Sequence, residues 1–358
     1  MVATEVGEVI RRLDEAVEPE DFFGDVEDLR DLRGRYRWYA RIVHPDRNGG
    51  DEDAARAFRR LTGFSVRAEA LIREGTYGAD RGQTFRLRTR RREYLLEARI
   101  ATGDVCDVFR ARWDGGQGVA KVVRHPRDND LVQAEASTLR ALRRDLDERW
   151  LPFLPDLVDA TGFRAKGGIV RRANVLDGLD GFVSLERVAT AYPSGIDPRD
   201  MAWMLRRLLS ILGAVHRAGV VHAAVTPASV LIHPEEHGLV LADWEYAVPA
   251  GTPPRIVNHD WRRIYPPELA ERRHGAEADI YTAAQTMLYL LNPESRLNRV
   301  STRLPRPMRA FFRACALPER KRPDDAWKLA GYFDEILERC YGPRRFRPFT
   351  MPTTEGRS

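Results

Sequence analysis

The chain has 358 residues, 43% apolar and 31% charged, which excludes a disordered chain and a single small module and suits two or three packed domains. No apolar run approaches the roughly 18 residues of a membrane span, and Glu5, Glu8, Asp14, Glu15 and Glu18 near the start argue against a secretory or transit leader. Lys and Arg total 58 against 53 Asp and Glu, and the resulting net charge of +5 is too small to imply nucleic acid by itself.

Only Lys121, Lys166, Lys321 and Lys328 are lysine; every other basic side chain apart from histidine is arginine. A lysine in such a chain marks a place where a compact ammonium is wanted. Cys106, Cys315 and Cys340 lie far apart and are odd in number. They form neither a disulfide framework nor a cysteine metal site and fit a reducing, cytoplasmic setting.

Residues 1–72 are helix-patterned and highly charged. Residues 73–84 hold three glycines and no apolar periodicity, so they read as a linker. Residues 85–341 begin with strand signals and end with helices, an α+β arrangement. The tail, 342–358, is rich in proline and arginine and is expected to be poorly ordered.

Within the first region, Leu29, Leu32, Tyr36, Tyr39, Ala40 and Val43 recur at helical spacing. Arg33, Arg37 and Arg41, four apart, stack on the opposite face. Pro45 ends this helix. A loop follows from His44-Pro45-Asp46 through Gly50, and a second helix starts after Asp51, a plausible cap. Ala54, Phe58, Leu61, Ala68 and Leu71 line its inner face, and Gly63 is expected to interrupt it. Two antiparallel helices around an exposed loop make a helical hairpin.

Tyr36-Arg-Trp-Tyr-Ala-Arg-Ile-Val-His-Pro-Asp-Arg-Asn, followed by Ala-Phe-Arg-Arg-Leu, resembles a DnaJ-type J domain over about residues 20–72. That resemblance implies a co-chaperone whose partner is a DnaK-type heat-shock ATPase. His44, Pro45 and Asp46 would trigger ATP hydrolysis in the partner, and Arg33, Arg37 and Arg41 would form the docking face. The competing reading is a solvated, arginine-rich hairpin with an incidental turn.

In the larger region, Tyr94 to Trp113 reads as two strands turning at Thr102-Gly103-Asp104, and Gly115 to Gly118 as a second turn. Val119-Ala120-Lys121-Val122-Val123 reads as a buried strand carrying one lysine. A helix follows from about Asp130 to Arg143 with Glu135 projecting from it. Met201 to Ala218 is a long amphipathic helix leading into His222-Ala223-Ala224-Val225-Thr226-Pro227-Ala228-Ser229. Asp243-Trp244-Glu245, Pro267-Glu268, Asp279 and Arg322 follow in that order.

This order resembles the protein-kinase fold over about residues 85–340, and implies a bilobal domain after the helical hairpin. By that resemblance Lys121 is the nucleotide-gripping lysine, Glu135 its helical partner, Gly103 the remnant of the glycine loop and Asp243 the metal-binding aspartate. ATP with Mg²⁺ is the implied cofactor. Glu268 and Arg322 match a structural ion pair.

The departures bear on chemistry. Phosphoryl transfer needs a carboxylate for the attacking hydroxyl and a second metal ligand. Ala224 stands at the carboxylate, Thr226 at the phosphate-steadying lysine and Ser229 at the metal-binding asparagine; Ala101 and Cys106 replace two loop glycines. The resemblance is thus to a pseudokinase, with no catalytic residue assigned. Lys121 as a snorkelling surface lysine and Asp243 as a turn cap are the plainer alternatives.

The composite expectation is a cytoplasmic co-chaperone-like adaptor. Its J domain recruits and stimulates the heat-shock ATPase, and its pseudokinase domain binds a protein client, a partner or nucleotide. The alternative is a divergent ATP-dependent kinase or nucleotidyl transferase. His216 and His222 fall on apolar patterns and read as core or loop-anchoring. Arg86, Arg88, Arg90, Arg91 and Arg92 alternate with Phe85, Leu87 and Thr89 as a solvated strand face does, which argues against nucleic acid as a partner.

Overall fold

The computed structural model describes residues 2–16, 18–24, 26, 28–49, 51–73, 77, 85–164, 170–270, 275–293 and 300–352. The chain divides into two compact units, Met1–Phe85 and Arg86–Ser358. Among the described residues no helix is long and apolar enough to cross a membrane.

The first unit is helical: α1 Val2–Glu15, α2 Pro19–Phe23, α3 Leu29–Val43 and α4 Glu52–Arg73. Asp28 caps α3 by accepting from the Arg30 and Asp31 amides. Asp51 accepts from the Asp53 amide at the start of α4 at 2.9 Å. Leu13, Phe22, Leu32, Val43, Leu61 and Ala68 form the centre of the core, with Tyr36, Tyr39 and Ala40 packed at its edge. The expected break at Gly63 does not occur: α4 runs unbroken through it. One glycine costs a helix only about 1 kcal/mol, and Leu61, Phe64 and Ala68 bury the face around it. Of the expected linker, only Arg73, which ends α4, and Tyr77 fall within the described residues; the rest lies outside them.

The second unit opens with a six-stranded sheet in the order β1-β2-β3-β4-β6-β5. The strands are β1 Phe85–Arg88, β2 Glu93–Thr102, β3 Cys106–Trp113, β4 Gly116–Val123, β5 Leu157–Arg164 and β6 Val170–Asp177, with α5 Asn129–Asp145 between β4 and β5. From β2 onward every pairing is antiparallel. Asp159 on β5 accepts from Thr89 Oγ1 at 2.7 Å and from the Tyr94 hydroxyl at 3.2 Å, so the sheet curls until its two edges meet. The turn expected over Gly115–Gly118 is shorter. Trp113 pairs with Gly116, which leaves Asp114-Gly115 as the turn and puts Gly116–Gly118 in β4. Gly118 is required there, because a Cβ would lie 2.1 Å from the Leu176 carbonyl oxygen on β6.

Helices α6 Leu185–Ala191, α7 Pro198–Arg217, α8 Ala276–Leu291, α9 Arg306–Cys315 and α10 Ala326–Tyr341 build the second lobe. Short strands lie between them: β7 Val183–Ser184, β9 Val230–His233 and β10 Gly238–Leu241 in one sheet, β8 Val220–Val221 and β11 Val248–Pro249 in another. Every residue of α8 from Ala278 to Leu288 is buried, as expected for the helix at the centre of a core.

The tail is more ordered than its composition suggests. Arg347 pairs with Asp197 and Asp200 at 3.2 Å each. Phe349 is buried against Tyr192, and the Tyr192 hydroxyl donates to the Thr350 carbonyl. Two aromatic anchors and a shared ion pair offset the chain entropy that proline and arginine alone would leave unopposed. Residues 353–358 lie outside the described part.

Candidate functional site

Strand β4 carries Lys121 inward, where its side chain is 5% exposed. Its Nζ donates to Glu135 Oε1 at 2.8 Å, Asp243 Oδ1 at 3.0 Å and Glu245 Oε2 at 2.6 Å. An ammonium has three N–H donors, so each has a carboxylate partner. Asn174, in register with Lys121 across β4 and β6, holds the far side of Glu135: its Nδ2 donates to Glu135 Oε2 and to the Val132 carbonyl, both at 2.8 Å. Lys121, Glu135 and Asp243 are therefore brought together as the sequence order led one to expect. Glu245 and Asn174 complete the cluster and were not anticipated.

Burial alone would pull the Lys121 ammonium down, but Glu135, Glu245 and Asp243 outweigh it and hold the group well above its ordinary value. Burial drives the Glu245 carboxyl well above the usual carboxylate range; Lys121 opposes this, while Glu135 and Asp243 add to it. Three acidic side chains share one cation, and Lys121 stays charged. Asp243 adopts left-handed backbone angles, φ 63° and ψ 49°, a conformation that aspartate tolerates better than most side chains. Trp244 follows it. It is fully buried, its indole donates to the Leu241 carbonyl at 2.7 Å, and its ring meets His222 edge-on.

The loop from His222 to Ser229 is anchored from below by Asp279 of α8. Its carboxylate accepts from the His222 amide and the Ala223 amide, both at 2.8 Å, and lies 2.9 Å from His216 Nε2. Both histidines thus serve packing and loop anchoring. Burial keeps the His222 imidazole below its ordinary pKa. Ala224 is 1% exposed and offers no acceptor. Thr226 and Ser229, also buried, spend their hydroxyls on the loop. Ser229 Oγ accepts from the Thr226 amide at 2.9 Å and donates to the Ala224 carbonyl at 2.6 Å; Thr226 Oγ1 accepts from the Ser229 amide at 3.2 Å.

Between the two lobes, Val105, Cys106, Val123, Leu131, Val132, Ala224 and Tyr246 form one apolar cluster. Burial raises the Cys106 thiol and the Tyr246 phenol far above their ordinary ranges. Gly103 sits at the β2–β3 turn, its amide bonded to the Cys106 carbonyl at 2.8 Å. A Cβ there would lie 3.4 Å from that oxygen, so the turn has no steric need for glycine. The same turn is tied to the segment after β11: Asp104 Oδ2 accepts from the His259 amide at 2.6 Å. Asp130 on α5 pairs with Arg255 of that segment.

These residues do not fit ATP with Mg²⁺ in this arrangement. The lysine has no donor left, three acidic side chains surround it, and apolar side chains pack where the β2–β3 turn meets the opposite lobe. Among the described residues no group of three or more His, Cys, Asp or Glu side chains is disposed to hold a metal ion. Glu268 and Arg322 form the expected pair, at 2.5 Å, with Arg322 also over the Tyr281 ring. Arg86 and Arg88 are exposed and both reach Glu93, a solvated strand face.

In the first unit, α3 ends at Val43 and a short 3₁₀ turn spans Pro45–Arg47. His44 is half-exposed at 42% and Asp46 is 88% exposed. His44 Nδ1 accepts from the Asp46 amide at 3.2 Å and the ring packs edge-on against Phe58. That bond places the proton of a neutral ring on Nε2. Asn48 Nδ2 donates to the Ile42 and His44 carbonyls at 2.8 and 3.0 Å, fixing the loop from inside. Arg33, Arg37 and Arg41 are exposed along α3, and Arg33 reaches Glu69 on α4 at 3.3 Å.

No family model matches the chain, and no curated protein matches it. Among solved structures it is similar to the BubR1 kinase domain, with 17% identity and a TM-score of 0.54 over 72% of this chain and 83% of that one. It is also similar to vaccinia related kinase 3, with 14% identity and a TM-score of 0.57 over 72% of this chain and 91% of that one. At such identities the likeness concerns the fold, and it agrees with the curled sheet, the Lys121–Glu135 pair and the Asp279-anchored loop: the chain carries a protein-kinase-like fold.

Proposed function

We propose that the chain is an adaptor. Its N-terminal unit acts as a J domain that engages and stimulates a DnaK-type heat-shock ATPase, and its kinase-like unit holds a protein client or partner without transferring phosphate. The observation that carries this reading is the His44-Pro45-Asp46 turn at the tip of the α3–α4 hairpin, half-exposed at His44 and open to solvent at Asp46. Asn48 fixes that turn from within, and Asp46, 88% exposed, points its carboxylate to solvent beside the half-exposed His44 ring. Conformationally fixed, exposed loop residues are where binding function concentrates.

Ala224 and the internally bonded Thr226 and Ser229 support the absence of phosphotransfer. Loss of a general base alone costs about 10²–10⁴-fold, and the phosphate and second metal contacts are missing with it. The rival reading, a divergent kinase or nucleotidyl transferase, finds no replacement carboxylate on this loop.

His44→Gln is expected to abolish stimulation of the partner ATPase while leaving the melting temperature near the parent's. Steady-state ATPase assays with a DnaK-type protein measure this, and full stimulation by the variant removes the J-domain reading. Reversing Arg37 and Arg41 to Glu is expected to slow association with the same ATPase at low salt and to flatten its salt dependence, since such charges act mainly on encounter rates. An unchanged on-rate in stopped-flow mixing would leave these arginines as plain solvated charges.

A further inference from the structure

We propose that Glu245 is a built-in occupant of the kinase-like cleft: its carboxylate takes the Lys121 donor that a nucleotide phosphate would need, and so closes the site to nucleoside triphosphates. Three observations converge on this. Glu245 is 3% exposed and its Oε2 lies 2.6 Å from Lys121 Nζ, the shortest of the three contacts that saturate the ammonium. The next residue, Tyr246, is part of the apolar cluster that joins Val105 and Cys106 at the β2–β3 turn to Ala224 of the opposite lobe. Two exposed contacts also run between the lobes beside this cluster, from Asp104 to the His259 amide and from Asp130 to Arg255.

Glu245 stands at the third place of Asp243-Trp244-Glu245. A residue there without a side chain would leave one Lys121 donor and the volume beside it free. An incoming triphosphate must otherwise displace the buried Glu245 side chain and then sit beside Glu135, Asp243 and Glu245 around Lys121. Like charges in a low-dielectric site repel strongly, and a displaced carboxylate would be left buried without its partner. Glu245 acts in this way whether or not the N-terminal unit meets a heat-shock ATPase.

The test uses the full chain with ATP and Mg²⁺, read by thermal shift and by titration calorimetry. The parent is expected to show no saturable response at millimolar ATP. Glu245→Gly is expected to acquire one, with affinity improved about tenfold or more over the parent, and Lys121→Met in the Glu245→Gly background is expected to lose it. A parent that binds ATP saturably, or a folded Glu245→Gly protein that binds no better than the parent, overturns the proposal.

A second measurement needs no variant. An acyl-phosphate derivative of ATP that acylates lysines at bound phosphates should leave Lys121 unmodified in the parent, as read by peptide mass spectrometry. Labelling of Lys121 that excess ATP suppresses overturns the proposal, even if the glycine variant fails to fold.

Discussion

Lys121→Met is expected to destabilise the kinase-like unit by about 3–5 kcal/mol, the range for removing one partner of a buried ion pair. The methionine fills similar volume, so the cost is electrostatic: Glu135 and Glu245, both nearly fully buried, lose their cation. Urea denaturation followed by tryptophan fluorescence measures it as a lower midpoint at unchanged slope. Because Lys121 and Glu245 contact each other, their effects should not add. Lys121→Met combined with Glu245→Gln is expected to be less destabilised than the sum of the two single variants. A change below about 1 kcal/mol for Lys121→Met would mean the cluster does not hold the lobes together.

Asp279→Ala is expected to cost a similar amount, about 3–5 kcal/mol. The carboxylate is fully buried and accepts two backbone amides besides its contact with His216. Each buried N–H left without an acceptor costs about 1–3 kcal/mol. Ala223, held at φ 62°, loses the bond that keeps it in the left-handed region. Hydrogen exchange should show the Ala223 and His222 amides losing protection first. Unaltered protection of both would mean that another group fixes the loop.

Much of the kinase-like lobe was legible in the sequence because its parts are local. A strand with one inward lysine, a helix with one buried acid and a loop between two apolar runs each announce themselves. Their convergence followed from their order along the chain. Glu245 was legible as a residue but not as a ligand, since nothing local says that a glutamate after Trp244 turns inward rather than to water. Asn174 was hidden for a different reason: its place opposite Lys121 is set by the β4–β6 register, a pairing between residues 53 positions apart. The tail was misread because composition describes its entropy and not its partners, and Asp197, Asp200 and Tyr192 lie some 150 positions upstream. Gly63 shows the converse: a local signal to stop a helix gives way to the packing of Leu61, Phe64 and Ala68.

Whether the kinase-like unit moves phosphate is read most plainly with labelled ATP. The purified full chain is incubated with Mg²⁺ and ATP labelled at the γ-phosphate, and in parallel at the α-phosphate, with and without general protein acceptors. No label is expected on the chain or on any acceptor from either position. Transfer from the γ-phosphate that disappears in Lys121→Met would contradict this in favour of a kinase, and transfer from the α-phosphate would contradict it in favour of a nucleotidyl transferase.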